Sequence, residues 1–164
     1  MSMDLIFDHH VVSALYPKLD AFDTSMTTDF ISMANYGRLT FIIHTGDQTS
    51  GTANGTVTIQ SSAAAAGTSL TAQPFKYRVC ASSTSVDTWG ALTDAAATGF
   101  SMTAGDNYLY VVEVTADMIE ATAAGKLFVA LKVTEVTNDP CPAGVIAILS
   151  DPRYPQSVPV TAIA

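Results

Sequence analysis

The sequence predicts an all-β protein: an antiparallel β-sandwich, jelly-roll-like, with about eight strands, one short helix and an N-terminal arm. Three observations predict it. First, residues 126–136, KLFVALKVTEV, alternate in character. Leu127, Val129, Leu131 and Val133 fall on one side, and Phe128, Ala130, Lys132, Thr134 and Val136 on the other. Successive side chains of a strand point to opposite faces, so this is a strand with one aliphatic and one mixed face. Second, strands of similar quality flank it at residues 108–114 and 145–150. A sheet with an apolar face must bury it, and a second sheet is one cover. Third, short alternating runs separated by turn residues recur along the chain without an internal repeat. That pattern favours a sandwich over a propeller or a β-helix.

Taken in order, residues 1–26 are read as an arm. Leu5, Ile6, Phe7, Val11, Val12, Leu15 and Tyr16 are apolar, with a spacing that fits a helix only loosely. Asp4 and Asp8 suit the first turns of such a helix, and Pro17 ends it. Two readings stand: an arm with one or two helical turns that reaches a neighbour, or an edge strand or short helix docked on its own domain. Residues 27–154 form the sandwich. Residues 30–35 alternate, Tyr36-Gly37 breaks the run, and residues 38–45, RLTFIIHT, make the next strand. Residues 47–54 are a polar loop closed by the hairpin dipeptide Asn54-Gly55. Residues 56–61 alternate with Val57 and Ile59 on one face, and residues 75–81 with Phe75, Tyr77 and Val79 on one face. Short edge strands are expected at residues 88–93 and 98–102. Residues 117–125 read as the one convincing helix, with Asp117 as cap, Glu120 completing a capping box, and Gly125 at the left-handed C-terminal position. Residues 155–164 read as an extended tail pinned to a neighbour.

Composition bounds the rest. At 164 residues and 48% apolar, the chain suits one domain with a real core. Only 13% of residues are charged; Ala, Thr and Ser take the surface positions. Such a surface points to coverage by neighbours in an oligomer or larger assembly, against the alternative of a monomer with a Thr/Ser-rich surface. With a net charge of −8 and seven scattered basic residues, there is no stripe to neutralise phosphates. No nucleic-acid partner and no membrane partner is expected. The N-terminus lacks the three regions of a signal peptide, so synthesis in a cytoplasm is expected. Cys80 and Cys141 are then expected as reduced thiols, since a disulfide requires the loop around Cys141 to fold over the strand carrying Cys80.

Catalytic patterns are missing from the sequence. There is no Gly-rich phosphate loop, GxSxG elbow or HExxH. His9-His10 lacks further ligands at metal spacing beyond Asp4 and Asp8. Asp87, Asp94, Glu113, Glu120 and Glu135 are separate carboxylates with no neighbour that marks them. The expectation is a non-enzyme without metal or cofactor. Trp89 with Tyr77, Tyr108 and Tyr110 reads as core, with a sugar platform as the alternative.

Four stretches carry a resemblance: PFKYRV, TGFSMTAGDNYLYVVEVTADMI, KLFVALKVTEVTNDP and GVIAILSDPRY. Over residues 34–154 the chain resembles a family of tailed-phage and prophage head decoration, or cement, proteins. The resemblance implies a jelly-roll-like sandwich on the capsid exterior, a homotrimer, and the major capsid protein as partner. The seven apolar arm residues become the candidate capsid or subunit contacts. The alternative is a glycan-binding sandwich on a virion or tail, with its site at Trp89, residues 47–54 and residues 82–88.

Overall fold

The computed structural model describes residues 8–48, 55–136, 140–154 and 161–163. Its architecture is two antiparallel sheets packed face to face. The first sheet contains β1 (His10–Lys18), β4 (Tyr36–Thr45), β7 (Phe75–Ser82), β8 (Ser85–Trp89), β9 (Thr93–Ala95), β11 (Leu109–Thr115) and β13 (Ala143–Pro152). The second contains β2 (Ser25–Thr27), β3 (Ile31–Ser32), β5 (Gly55–Ser62), β6 (Thr71–Gln73), β10 (Phe100–Ser101) and β12 (Phe128–Glu135).

Strands lie in the order β1-β13-β4-β11-β7 in the first sheet, with β8 and β9 on different parts of the outer margin of β7. In the second, β12 and β5 are central; β2 and β3 share one margin, and β6 and β10 the other. The chain passes from β1 in the first sheet to β2 and β3 in the second, back to β4 and again to β5, and alternates once more from β11 through β13. The orders β1-β13-β4-β11 and β2-β12-β5-β6 are those of a jelly roll. The strands beyond the expected eight or so are short pieces along the margins of β5, β7 and β12.

Period-two alternation decides which side chains form the core. Leu39, Phe41 and Ile43 of β4, Tyr110, Val112 and Val114 of β11, and Ala147 and Leu149 of β13 point inward. They meet Val57, Ile59, Val129, Leu131 and Val133 from the second sheet in one continuous cluster. Each large side chain so buried contributes about 1.5–3 kcal/mol. The strand at residues 126–136 is therefore real, but β12 lies in the sheet opposite β11 and β13. In the first sheet β4 is the common partner, pairing with β11 on one side and β13 on the other.

From His10 onward the second of the two readings holds, an edge strand docked on its own domain. Residues 10–18 form no helical turn; β1 is an edge strand antiparallel to β13, from His10↔Leu149 to Lys18↔Ala143. Val12 and Ala14 are buried, as are Ala21 and Phe22 beyond the strand. The boundary at residue 27 thus cuts through one body. The alternation in β1 escapes notice because its register with β13 shifts twice, between Ser13 and Leu15 and between Leu15 and Lys18. Such bulges break the period of two. Tyr36 opens β4 instead of breaking a run, and the expected strand at 88–93 is split between β8 and β9.

The helix, α1 (Ala116–Ala123), is capped two residues earlier than expected. Thr115 Oγ1 accepts from the Met118 amide at 3.3 Å, while Asp117 sits in the first turn, where the helix dipole favours a carboxylate. Glu120 closes no capping box; its carboxylate accepts from the Gly125 amide at 3.2 Å. Gly125 takes the expected left-handed conformation at φ +77°. Ile119 is fully buried, and α1 rests against β4, β6 and β11. Gly99, at φ +82°, is sterically required, since a Cβ there would lie 2.0 Å from the Val57 carbonyl oxygen. At the other end of the chain, Ile163 bridges to Ile31, and the Ser32 amide donates to the Ala162 carbonyl at 2.8 Å. This part of the tail is held by its own domain.

Candidate interaction surface

The outward face of the first sheet is more apolar than the sequence suggested. Strand register aligns its side chains in rows across the sheet. One row runs Ser13–Ile146–Ile42–Val111–Arg78, over β1, β13, β4, β11 and β7. The neighbouring row runs Val11–Ile148–Thr40–Glu113–Lys76. Ile42, Ile146, Ile148 and Val111 are four β-branched residues on a face with no covering layer among the described residues. Ile146 is 48% exposed and Val11 50%. Beside this strip, Pro17 lies over Gly144, and Pro17 and Leu19 help line a groove of about 760 Å³ whose lining includes Ile42, His44, Leu109 and Ile146. Leu19 itself is 85% exposed.

Charges frame the strip. Arg38 bridges Glu113 at 2.9 Å and Asp151 at 3.1 Å, and these carboxylates, Glu113 before Asp151, push its pKa up. Lys76 pairs with Asp94 at 2.6 Å. These are exposed pairs of small energetic value. Arg78, at the end of the apolar row, makes no ion pair among the described residues. The strip therefore ends on an exposed guanidinium that has no ion-pair partner among the described residues.

The sequence-derived contact residues scatter. Leu5, Ile6 and Phe7 lie outside the described residues. Val11 faces outward into the strip, and Tyr16 is 66% exposed with Lys18 Nζ 5.0 Å from its ring centroid. Val12 is in the core, and Leu15 is partly buried against it. The outward strip was missed because each isoleucine belongs to a different strand; only the pairing register brings them together. An outward β-branched residue flanked by core residues, as in Phe41-Ile42-Ile43, was the available signal.

The aromatic residues are mostly packing groups. Tyr77 stacks on Phe100 with centroids 3.9 Å apart, and Phe75, Tyr108 and Tyr110 extend the same ring cluster. Trp89 stands apart on β8, 39% exposed, opposite Cys80. Most of the loop at 47–54 lies outside the described residues. Cys80 and Cys141 are both buried free thiols. Among the described residues, no three His, Cys, Asp or Glu side chains gather as metal ligands, and no helix is long and apolar enough to cross a membrane.

No protein-family model matches the chain, and no curated protein matches it. Among solved structures, the chain is similar to the SPBc2 prophage-derived protein YomS. The identity is 15%, over 91% of this chain and 98% of that one, with a TM-score of 0.45. At that level the likeness carries no functional argument.

Proposed function

We propose that this chain is a non-enzymatic virion structural protein, a head decoration or cement protein of a tailed phage or prophage. It binds the outer capsid surface and stabilises the shell across capsomer junctions. The observation that carries the reading is the outward apolar strip, together with what builds it. The stretches YLYVVEV and GVIAILSDPRY, which carry much of the resemblance in sequence, are β11 and β13. Their outward side chains Val111, Ile146 and Ile148 supply most of the strip. A face of this kind is an interface in need of a partner.

The partner in this reading is the major capsid protein, with three copies of this chain joined as a homotrimer. A protein that binds the assembled shell and not loose subunits stabilises the shell by mass action. A net charge of −8 suits an exterior component that stays off packaged DNA. No cofactor, membrane or nucleic acid is required, and the protein is made in the cytoplasm of the bacterial host.

The test is add-back. Purified protein is mixed with expanded heads that lack it, the heads are pelleted, and their resistance to heat is measured. Saturable co-pelleting with raised heat resistance is the expected result. Protein that stays in the supernatant at micromolar concentration overturns the reading. A glycan array separates the adhesion alternative, which requires binding that Trp89→Ala removes.

A further inference from the structure

We propose that Arg78 sets the chemistry of the partner: it is the seat for a carboxylate on the major capsid protein, beside the apolar patch that covers Ile42, Val111 and Ile146. This deepens the cement reading and rests on it for the partner's identity. Its physical grounds are the charge pattern of the face and what covering that face does to a guanidinium.

The first ground is the charge pattern. Around the strip, Arg38, Lys76, Glu113, Asp151 and Asp94 are all taken up in ion pairs within the chain. Arg78 is exposed, and its side chain makes no ion pair or hydrogen bond among the described residues. Register sets it in one row with Val111, Ile42 and Ile146, so it faces the same side as they do. From Ile146 to Arg78 is three strand spacings, roughly 14 Å. The far side of β7 is open at this point: β9 pairs with it as far as Tyr77 and β8 from Cys80, so neither stands opposite Arg78. In a chain of net charge −8, the charge left unpaired at the end of the strip is thus positive.

The second ground is desolvation. A partner that covers the row takes water from Arg78 as well, because Arg78 is the direct cross-strand neighbour of Val111. An unpaired charge removed from water is costly, and a carboxylate set against it offsets that cost. Arginine suits the task. Its planar fork matches a carboxylate with two parallel hydrogen bonds, and a guanidinium is more weakly hydrated than an ammonium. The apolar row supplies contact area but little selection. Arg78 supplies the selection, since a neutral or basic group in the same place leaves its charge covered and unpaired. The partner patch is therefore apolar at its centre, with an aspartate or glutamate at one edge, roughly 14 Å from the group that meets Ile146.

The experiment extends the add-back to full titrations at low and high salt, with three variants of the full chain: Arg78→Glu, Arg78→Lys and Lys132→Glu. Lys132 is on β12 of the second sheet, so its substitution makes the same change in net charge away from the strip. Melting curves check that each variant is folded. Wild-type affinity for the heads is expected to fall as salt rises. Arg78→Glu is expected to bind about tenfold more weakly at low salt and to regain part of the loss at high salt, where the new repulsion is screened. Arg78→Lys keeps the charge without the fork and falls between the two. Lys132→Glu binds like the wild type. Arg78→Glu that binds as tightly as the wild type overturns the proposal, because the guanidinium then stays in water. Equal losses in Arg78→Glu and Lys132→Glu overturn it too, as an effect of net charge alone. Wild-type protein that leaves the heads unbound removes the cement reading and this proposal with it, whereas bound wild type beside an unaffected Arg78→Glu removes this proposal alone.

Discussion

Tyr110 reaches from near the start of β11 to the backbone of Thr103, accepting from its amide at 3.1 Å and donating to its carbonyl at 3.3 Å. Its ring is almost wholly enclosed. Burial pushes the phenol's pKa above its ordinary value of 10.0, and the Thr103 hydrogen bonds only partly oppose this. The unfolded chain therefore releases this proton first as the pH rises. Stability from the neutral phenol is complete below pH 10 and declines as the pH climbs towards the folded pKa. Tyr36, raised by burial as well, adds in the same direction. Urea denaturation from pH 7 to 11 is expected to show falling stability above about pH 10. Tyr110→Phe should cost about 1 kcal/mol at pH 7 through its lost hydrogen bonds, yet decline less steeply above pH 10. Equal slopes for the two proteins would show that Tyr110 ionises freely. Residues like this were legible in the sequence only as inward members of an alternating run. Leu131, fully buried, and its half-buried neighbour Lys132 were legible the same way. The cap at Thr115 was not, because Thr115 and Asp117 are both good caps and only the backbone direction separates them.

At the scale of elements, β1 decides how the N-terminal region behaves. Deleting residues 1–22 removes Val12, Ala14, Ala21 and Phe22 from the core and strips β13 of a partner. Loss of the Val12 and Phe22 side chains alone corresponds to a melting temperature roughly 10 °C lower, if the domain stays soluble at all. Deleting residues 1–7 is expected to shift it by less than about 2 °C, the range of surface changes. Circular dichroism melts of both truncations make the comparison; a 1–22 deletion that melts like the full chain would show β1 to be dispensable. Long regular strands such as β4, β11, β12 and β13 were legible because nothing interrupts their period of two. β1 was legible only as one of two alternatives, since its two register shifts leave Ala14 and Leu15 both towards the core and mimic a poor helix. Likewise, β8 and β9 are separated by residues 90–92 within a stretch that reads as one edge strand.

For the whole molecule, the sandwich was legible from grammar, but sheet membership was not. Whether β12 joins β11 or faces it depends on pairing between residues far apart in sequence, and local pattern carries no such information. The same holds for the outward strip, which exists only in the assembled register. With a continuous core spanning both sheets, the protein is expected to fold without a metal or cofactor. Thermal melts with and without a chelator are expected to superimpose, and a large drop with chelator would point to a structural ion.

The pairing of β1 with β13 also sets a clock on synthesis. β1 leaves the ribosome before the other described strands and hydrogen-bonds to the last strand of its sheet. At about 5–20 residues per second, β1 waits on the order of 10 s for its partner. Throughout that interval β4 also lacks its β13 neighbour. A chain that stops short of residue 143 therefore displays two unsatisfied apolar strand margins at once. Truncated products of this gene are adhesive by construction, and abundant expression depends on ribosomes reaching the end of the message or on chaperones that shield what they leave behind.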